Sequence, residues 1–225
     1  MSLPAWSYSS AKLFETCPRK YEAERITKEV KFTETEATLY GTAFHLAAEE
    51  YIRDDKPIPE QFKFAAPALT RLKNLSGEKH YEIKFGIARR NGRLVACDFY
   101  AEDVWFRGIA DLLIIDGDTA RVIDYKTSKS AKYADTRQLE LMAACVFLNY
   151  PEVKYVKSGL LFVICNAFIK ENYTFERRFD IFGKMNDVLT RREAAYESGV
   201  FNPNPNGLCR KWCEVLSCPH NGKHL

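Results

Sequence analysis

Two aspartates and a lysine stand on either side of an Asp-Gly pair in the middle of the chain. Asp111 lies in the apolar segment 108–115, and Asp124 and Lys126 end a second apolar segment, 120–126. An Asp-Gly pair between two apolar segments is typical of a tight β-hairpin. The sequence therefore predicts two antiparallel strands that carry these three side chains toward one another.

The position of the hairpin loop decides which residues face each other. With a two-residue loop, Asp111 lies opposite Val122 if the loop is 116–117, or opposite Asp124 if the loop is 117–118. In both registers the two aspartates share one face of the sheet. The lysine shares it too, because side chains two apart on a strand point the same way. A three-residue loop would separate them.

Two carboxylates beside a lysine suit the hydrolysis of a phosphodiester bond with a divalent cation. Mg²⁺ or Mn²⁺ takes oxygen ligands, keeps several waters, and lowers the pKa of the water that attacks phosphorus. Lys126 would position that water and stabilise the charge that develops on the phosphate. On residue types alone, the alternative is that Asp111 and Asp124 are ordinary charges at a sheet edge. The hairpin geometry favours the metal site.

The surrounding pattern predicts a sheet of hairpins with helices before and after it. Helical spacing of apolar residues or helix-starting residues mark helices at about 9–21, 43–53, 62–75, 136–149 and 181–196. Alternating or continuous apolar segments mark strands at 81–89, 93–99, 104–115, 121–126 and 159–165, with an edge strand at 173–179. Asp135, with Gln138 three residues later, resembles a capping box for the fourth helix.

The composition is that of an ordinary globular protein. Of the 225 residues, 46% are hydrophobic and 28% are charged, which predicts one folded α/β domain, 1–225, rather than disorder. The net charge of +3 is too small to indicate a nucleic-acid partner by itself. The apolar run 160–165 is too short for a membrane span, and segment 1–7 lacks a secretory pattern. We therefore expect a cytoplasmic protein that does not bind a membrane.

Three of the seven cysteines, Cys209, Cys213 and Cys218, lie close together near the end of the sequence and are followed by His220. In a reducing compartment such a cluster indicates a metal site, with Cys17 as the candidate fourth ligand. Four thiolates suit an iron–sulfur cluster or zinc, and the histidine leaves a mixed zinc site open. We rank the cluster first, zinc second and free thiols third, in a structural role. The other cysteines have apolar neighbours and are expected in the core: Cys97, Cys145 and Cys165.

Several motifs resemble those of one nuclease family in order and spacing. Gly-x-x-Asp at 108–111 and Asp-Tyr-Lys-Thr at 124–127 resemble the core of the PD-(D/E)XK nucleases, specifically their RecB-type and CRISPR-adaptation branch. The segments 7–10 and 17–21 resemble the first helix of that branch, and 41–45 resembles its GT-x-x-H motif. The resemblance implies a restriction-endonuclease-like α/β fold, in which helices flank a central mixed β-sheet.

The resemblance also implies roles for individual residues. A Mg²⁺ or Mn²⁺ ion would be held by His45, Asp111, Asp124 and the carbonyl of Tyr125, with Lys126 as the catalytic lysine. Glu82 would belong to the outer rim of the site. From the spacing, Glu49 lies one helical turn after the histidine and is expected to accept a hydrogen bond from its ring.

Further positions are predicted to contact DNA. Gln138 resembles the glutamine of the branch's Q-x-x-x-Y motif, which contacts DNA or the catalytic lysine, but the tyrosine position is Met142 here. Lys129, Lys132 and Arg137 flank the hairpin and the following helix, where they would bind the phosphates of a DNA strand.

Some members of this branch hold a [4Fe–4S] cluster with one early and three late cysteines. Their late cysteines are separated by two and then five residues, whereas the separation here is three and then four. The resemblance implies that Cys17, Cys209, Cys213 and Cys218 clip the tail, 202–225, to the N-terminal helix.

The sequence thus predicts a metal-dependent DNA nuclease. The resemblance favours an exonuclease that acts on single-stranded or frayed DNA ends in recombination, replication or CRISPR adaptation, and a phage-encoded stand-alone protein. Two alternatives belong to other classes: a non-catalytic DNA-binding subunit with a nuclease-like fold, and a zinc-binding interaction protein.

Overall fold

A computed structural model describes residues 3–31 and 33–224 of the chain. The termini of the predicted domain, Met1, Ser2 and Leu225, and also Phe32, lie outside the described residues. The chain divides into two compact units, one formed by Met1–Thr33 with Gly183–Leu225 and the other by Glu34–Phe182. Within the described residues, no helix combines the length and the apolar character that a bilayer span requires.

The helices and strands alternate in blocks along the chain. The helices are α1 (Tyr8–Thr16), α2 (Pro18–Tyr21), α3 (Glu36–Asp54), α4 (Ala66–Lys73), α5 (Arg137–Asn149), α6 (Arg178–Gly183) and α7 (Asn186–Ser198). The strands are β1 (Glu78–Arg90), β2 (Arg93–Cys97), β3 (Val104–Asp116), β4 (Thr119–Lys126), β5 (Tyr155–Phe162) and β6 (Ala167–Thr174). A turn of π-helix, Glu22–Ile26, follows α2, and a 3₁₀-helix, Glu60–Ala65, leads into α4.

The unit Glu34–Phe182 is built on a six-stranded mixed sheet. The strand order is β2-β1-β3-β4-β5-β6, with β4 and β5 parallel and every other neighbouring pair antiparallel. Helix α5 connects the two parallel strands, as a parallel pair requires a crossover. Helices flank the sheet, so the predicted α/β fold with a central mixed sheet is confirmed.

Two helical layers bury the apolar side chains of this sheet. Helix α3 contributes Phe44, Ala47, Ala48 and Ile52, whose spacing of three or four residues forms one apolar stripe. They pack with α4 and with side chains of β3, β4 and β5. Helix α5 is buried from Leu141 to Phe147 on all its sides, which explains why its sequence is apolar without a polar face.

The other unit combines the N-terminal helices with α7 and the cysteine-rich tail. Phe14, Tyr21, Ala195 and Phe201 form its larger apolar cluster. Arg192 is buried and donates hydrogen bonds to the hydroxyl of Tyr21 and to a backbone carbonyl, so its charge is not left without partners.

Several predicted boundaries are wrong. Helix α3 begins at Glu36 rather than residue 43, because Thr35 forms a capping box with Thr38 and the helix continues through Gly41. The segment 159–165 contains the end of β5 and a turn, so Cys165 is exposed and not a core residue. The predicted edge strand 173–179 is displaced, since β6 occupies Ala167–Thr174.

The first predicted helix is interrupted before Pro18, and the sequence itself explains this break. The sequence predicts a single helix from about 9 to 21, whereas the chain forms α1 and α2 separated by Cys17. Cys17 is extended, with φ −164° and ψ 110°, because a residue before proline is disfavoured in the helical region.

Candidate active site

The β3–β4 hairpin has one of the two predicted registers. Asp116 pairs with Thr119, so the loop is 117–118, and Gly117 adopts the positive φ of 61° that this turn uses. Pairing continues as far as Leu112 and Ile123 and ends there. The next residues along the two strands are Asp111 and Asp124, which therefore face each other where the strands separate.

The Asp111 carboxylate lies at this separation. Its Oδ2 accepts a hydrogen bond of 2.6 Å from the backbone amide of Tyr125, which replaces a contact between the two backbones. Its Oδ1 lies 3.3 Å from Nδ1 of His45 on α3. The side chain is 10% exposed, so Asp111 is held in one place at the edge of solvent.

A third candidate metal ligand, Glu82, comes from β1. Oε1 of Glu82 lies 3.8 Å from Nδ1 of His45, and the ligand atoms of His45, Glu82 and Asp111 all lie within 4.8 Å of one another. Glu82 has a φ of 46°, a left-handed conformation that costs a non-glycine residue about 1 kcal/mol or more. Its neighbours Ile83 and Tyr81 keep the β1–β3 register, so the distortion is local to the site.

Gly41 allows α3 to approach the end of β4. A Cβ atom at this position would lie 3.3 Å from Oγ1 of Thr127, the residue after Lys126. A glycine inside a helix is unfavourable by about 1 kcal/mol relative to alanine, so the close approach has a cost. One turn later on the same helix, His45 reaches the carboxylate of Asp111.

Asp124, Lys126 and Gln138 form the other half of the site. The Lys126 ammonium lies 2.6 Å from Oδ2 of Asp124 and donates to Oε1 of Gln138 at 3.1 Å. The amide nitrogen of Gln138 donates to Oδ1 of Asp124 at 2.5 Å. The predicted capping box is wrong, because Asp135 bonds to Arg137 while Gln138 turns into the site.

The clustered charges shift the pKa values of two groups. Burial alone would lower the pKa of His45, but its contacts with Asp111 and Glu82 and the charge of Asp124 outweigh burial and raise this pKa to about 10. Burial and the nearby Asp111 carboxylate raise the pKa of Asp124 to about 6, although Lys126 opposes this shift. The site thus holds more negative charge than its own cations neutralise.

The donor set fits a divalent cation. Oδ2 of Asp124 is buried, and although the Lys126 ammonium lies 2.6 Å away, no donor among the described residues forms a hydrogen bond of good geometry with it. A buried carboxylate oxygen without such a donor is costly unless a cation compensates it. Carboxylate oxygens of Asp111 and Glu82, with the His45 imidazole, form a mixed set that suits Mg²⁺ or Mn²⁺, and Asp124 faces Asp111 across the hairpin.

Other predicted residues lie apart from this cluster or have different partners. Lys129 and Lys132 are exposed on the loop between β4 and α5. Arg137 pairs with Asp135 at 2.8 Å. Glu49 pairs with Arg53, whereas His45 contacts Glu82 and Asp111. Met142 is buried, and its methyl group occupies the space where Gly108 has no side chain. It therefore supplies packing and no polar group.

The four cysteines of the predicted cluster line one pocket in the unit that contains the tail. Cys17, Cys209, Cys213 and Cys218 all contribute to its wall, together with His220. Backbone amides donate to two of the sulfurs at 3.4 Å, from Asn204 to Cys17 and from Asn206 to Cys209. Among the described residues, no three of these sulfurs lie within 4.8 Å of one another.

The family of the chain follows from its match to a known protein family. The family model of the PD-(D/E)XK nuclease superfamily matches residues 5–219. The chain belongs to this superfamily. The match supports a nuclease, and nucleases of this superfamily use divalent metals, in agreement with the acidic site. No curated protein matches the chain.

Two solved structures resemble the nuclease in fold. A protein named SSO0001 has 14% identity and a TM-score of 0.50, and the alignment covers 98% of this chain and 89% of that one. A protein from Eubacterium rectale named "Putative exonuclease" has 14% identity and a TM-score of 0.51, with 96% and 90% coverage. At this identity the likeness extends to the fold alone.

Sequence reasoning underestimated one residue of this nuclease. Glu82 was expected at the outer rim, but its carboxylate lies within ligand distance of His45 and Asp111. A usable signal was the pairing of β1 with β3: once Ile83 faces Ala110, the preceding residue must face Asp111.

Proposed function

We propose that this nuclease hydrolyses phosphodiester bonds of DNA at accessible single-stranded or frayed ends. The observation that carries the proposal is the convergence of His45, Glu82, Asp111, Asp124 and Lys126 where β3 and β4 separate. Such ends arise in recombination, replication and CRISPR adaptation. The name of the Eubacterium rectale protein supports the preference for ends.

His45, Asp111, Asp124 and the carbonyl of Tyr125 would hold one Mg²⁺ or Mn²⁺, with Glu82 beside them. When bound, the cation polarises the phosphate and acidifies the attacking water. The amide of Tyr125 and the Asp111 carboxylate are joined by a hydrogen bond, so the ligands at the two strand ends have fixed relative positions. Preorganised ligands avoid a cost of reorganisation during the reaction.

Lys126 would act on the reacting groups themselves. In hydrolysis, the water oxygen bonds to phosphorus and loses a proton, while the bond to the leaving sugar oxygen breaks and that oxygen gains a proton. The Lys126 ammonium can donate to the attacking water and stabilise negative charge on the phosphate oxygens. Gln138 holds both Asp124 and Lys126 by hydrogen bonds, so it is assigned a positioning role.

Replacing Lys126 by alanine tests this proposal. With Mn²⁺ or Mg²⁺, the wild-type protein should degrade end-labelled single-stranded DNA, and Lys126→Ala should be slower by about 100-fold or more while still binding DNA. Lys157→Ala provides the matched control, because Lys157 is an exposed lysine on the neighbouring strand β5. Gel analysis of the products with either end labelled gives the direction of digestion.

The other outcomes would identify the alternatives. If wild type and Lys126→Ala bind DNA equally and neither cleaves it with either metal, the protein is a non-catalytic DNA-binding subunit. If the wild type binds no DNA and contains only zinc, the protein is a zinc-binding interaction protein and not a nuclease.

The affinity of the site for metal should rise with pH. A cation bound through His45 must displace the proton that the raised pKa of about 10 retains, so Mn²⁺ affinity should increase about tenfold per pH unit near neutrality. Below about pH 6, the raised pKa of Asp124 adds a second displaced proton. Calorimetric titrations at two pH values measure the slope, and His45→Gln should flatten it. Equal wild-type affinities at both pH values would contradict the assignment of His45.

We further infer that Cys17, Cys209, Cys213 and Cys218 hold a [4Fe–4S] cluster. The four cysteines line one pocket, together with His220, and four thiolates are the ligand set of such a cluster. The amide donors at two sulfurs also suit thiolates, whose hydrogen bonds tune such clusters.

A further inference from the structure

A group of basic and aromatic side chains extends from the metal site along β1 and β3. Lys84 lies two residues from Glu82 on β1, and it pairs with Ile109, two residues from Asp111 on β3. Arg107 follows, two residues further from the site. Side chains two apart on a strand share a face, so these positions continue the face that carries the metal ligands.

The loop between β2 and β3 folds over this face. Gly86 permits the contact, because a Cβ atom there would lie 2.5 Å from the carbonyl oxygen of Asp98. Lys84 donates to the hydroxyl of Tyr100 at 2.8 Å, and Arg107 donates to the carbonyl of Phe99 at 2.8 Å. We call Lys84, Phe99, Tyr100 and Arg107 the basic–aromatic strip.

The cations of the strip face aromatic rings and not carboxylates. Lys84 lies 5.3 Å from the ring centre of Tyr100, and Arg107 lies 5.4 Å from that of Phe99. Within the described part of the chain, neither cation forms an ion pair. Their positive charge is therefore available to an anionic ligand.

Two carboxylates of the same loop, Asp98 and Asp103, are occupied by other groups. Asp98 accepts a hydrogen bond from the backbone amide of Tyr100, and Asp103 is paired with Arg90 at 2.7 Å. The Tyr100 ring is 68% exposed although its hydroxyl is held by Lys84. An exposed aromatic ring with a fixed position is a suitable platform for stacking an unpaired base.

The strip has the dimensions of a short nucleic-acid track. From Asp111 to Arg107 the strand rises about 14 Å, the length of on the order of four stacked nucleotides. Beyond it, Arg89 lies 3.9 Å over the ring of Trp105, which repeats the combination of cation and aromatic ring. A strand with one phosphate at the metal site would place its next phosphates beside Lys84 and Arg107.

We infer that the basic–aromatic strip binds the single-stranded DNA segment that flanks the scissile phosphate. Lys84 and Arg107 contact its phosphates, and Tyr100 stacks on one of its bases. The inference rests on the proposed function and specifies its substrate as an unpaired strand, because the bases of a duplex are already stacked on each other and cannot cover the tyrosine ring.

The test measures binding without cleavage. Fluorescence anisotropy in EDTA follows a labelled oligothymidylate and a duplex of equal length, for wild type, Lys84→Gln/Tyr100→Ala and the control Lys170→Gln/Tyr155→Ala. The control pair is also exposed, on β6 and β5. Loss of the stacking contact should weaken single-strand binding by about 5- to 150-fold. Loss of one phosphate contact should reduce the salt slope by about 0.7. The control should match wild type.

The outcomes separate this inference from the proposed function. If the strip variant binds the oligothymidylate as tightly as wild type, or loses single strand and duplex equally, the inference is overturned, even if wild type cleaves DNA with Mn²⁺. If the strip variant loses single-strand binding selectively, the inference holds, even if neither protein cleaves DNA and the nuclease proposal fails.

Discussion

Replacing Asp124 by asparagine should stabilise the metal-free protein and abolish its nuclease activity. The side chain is 8% exposed, and burial together with the Asp111 charge raises the pKa of its carboxyl to about 6 from the ordinary value of 3.8. A folded pKa above the unfolded one means that the folded state prefers the protonated form. The ionised carboxylate therefore destabilises the fold, fully so above about pH 6 and not at all below about pH 4.

The size of this effect follows from the pKa difference. Roughly two pKa units correspond to about 3 kcal/mol, and this net shift already includes the opposing attraction of Lys126. We expect a gain of about 1 to 3 kcal/mol near pH 8, or a few degrees in Tm, which disappears near pH 4. The asparagine oxygen can still accept the hydrogen bond from Gln138, so the packing is retained.

Thermal melts in EDTA at the two pH values measure the gain. Asp116→Asn is the matched control, because Asp116 ends the neighbouring strand β3 with a side chain that is 43% exposed. With Mn²⁺ present the order should reverse, since wild type gains binding energy that Asp124→Asn cannot. Hydrolysis should fall by about 100-fold or more. A variant that is less stable than wild type in EDTA near pH 8, or that retains Mn²⁺-dependent hydrolysis, would contradict the proposed role of Asp124.

The predictable part of the site depends on local rules. The Asp-Gly turn and the two-residue period place Asp111 beside Asp124 and put Lys126 on the same face, and no distant contact is needed to derive this. The choice between the two possible loops was not predictable, because either loop preserves the shared face. The structure selects the loop in which Asp111 faces Asp124 directly.

The parts that were missed depend on tertiary contacts. Glu82 reaches the site because β1 pairs with β3 and adopts a left-handed conformation at one residue, which no local propensity predicts. A glycine often marks the end of a helical pattern, yet Gly41 lies inside α3, where the helix closely approaches Thr127. Gln138 has the spacing of a helix cap but bonds to Asp124 instead. At each of these positions a long-range contact overrides the local pattern.

The β5–β6 region was misplaced for a different reason. The apolar run 160–165 continues past the end of β5 into the turn before β6, so hydrophobicity alone gives no boundary there. The turn is marked by Asn166, which has a positive φ of 49° and is one of the residues that tolerate this conformation. The strand therefore lies earlier in the sequence than its apolar run suggests.

Replacing Cys17 by serine should remove the iron–sulfur cluster and destabilise the unit that contains it. Cys17 lies in the N-terminal segment and the other three cysteines lie in the tail, so the cluster would join parts of the chain that are far apart in sequence. In the chain-entropy description, a cross-link that closes a loop of more than 100 residues stabilises a protein by about 4 to 5 kcal/mol. For a chain of this length the loss corresponds to on the order of 10 °C in Tm.

Anaerobically purified wild-type protein should be brown and contain about four irons and four sulfides per chain, the stoichiometry of a [4Fe–4S] cluster. Cys17→Ser should lose the colour and the thermal stability together. Cys165→Ser is the matched control, because Cys165 is an exposed cysteine in the other unit and should change neither. If the wild type is colourless and contains one zinc per chain, the four cysteines form a zinc site and not an iron–sulfur cluster. Full iron content in Cys17→Ser would exclude Cys17 as a ligand.

The catalytic metal provides an independent readout for the same variant. All the candidate ligands of Mg²⁺ or Mn²⁺ belong to the unit Glu34–Phe182, whereas the four cysteines belong to the other unit. Below its lowered Tm, Cys17→Ser should therefore bind Mn²⁺ with an affinity within about threefold of wild type, since its ligands are unchanged. Loss of Mn²⁺ binding by Cys17→Ser without loss of iron would contradict a purely structural role for the cysteines, because the candidate Mn²⁺ ligands belong to the other unit.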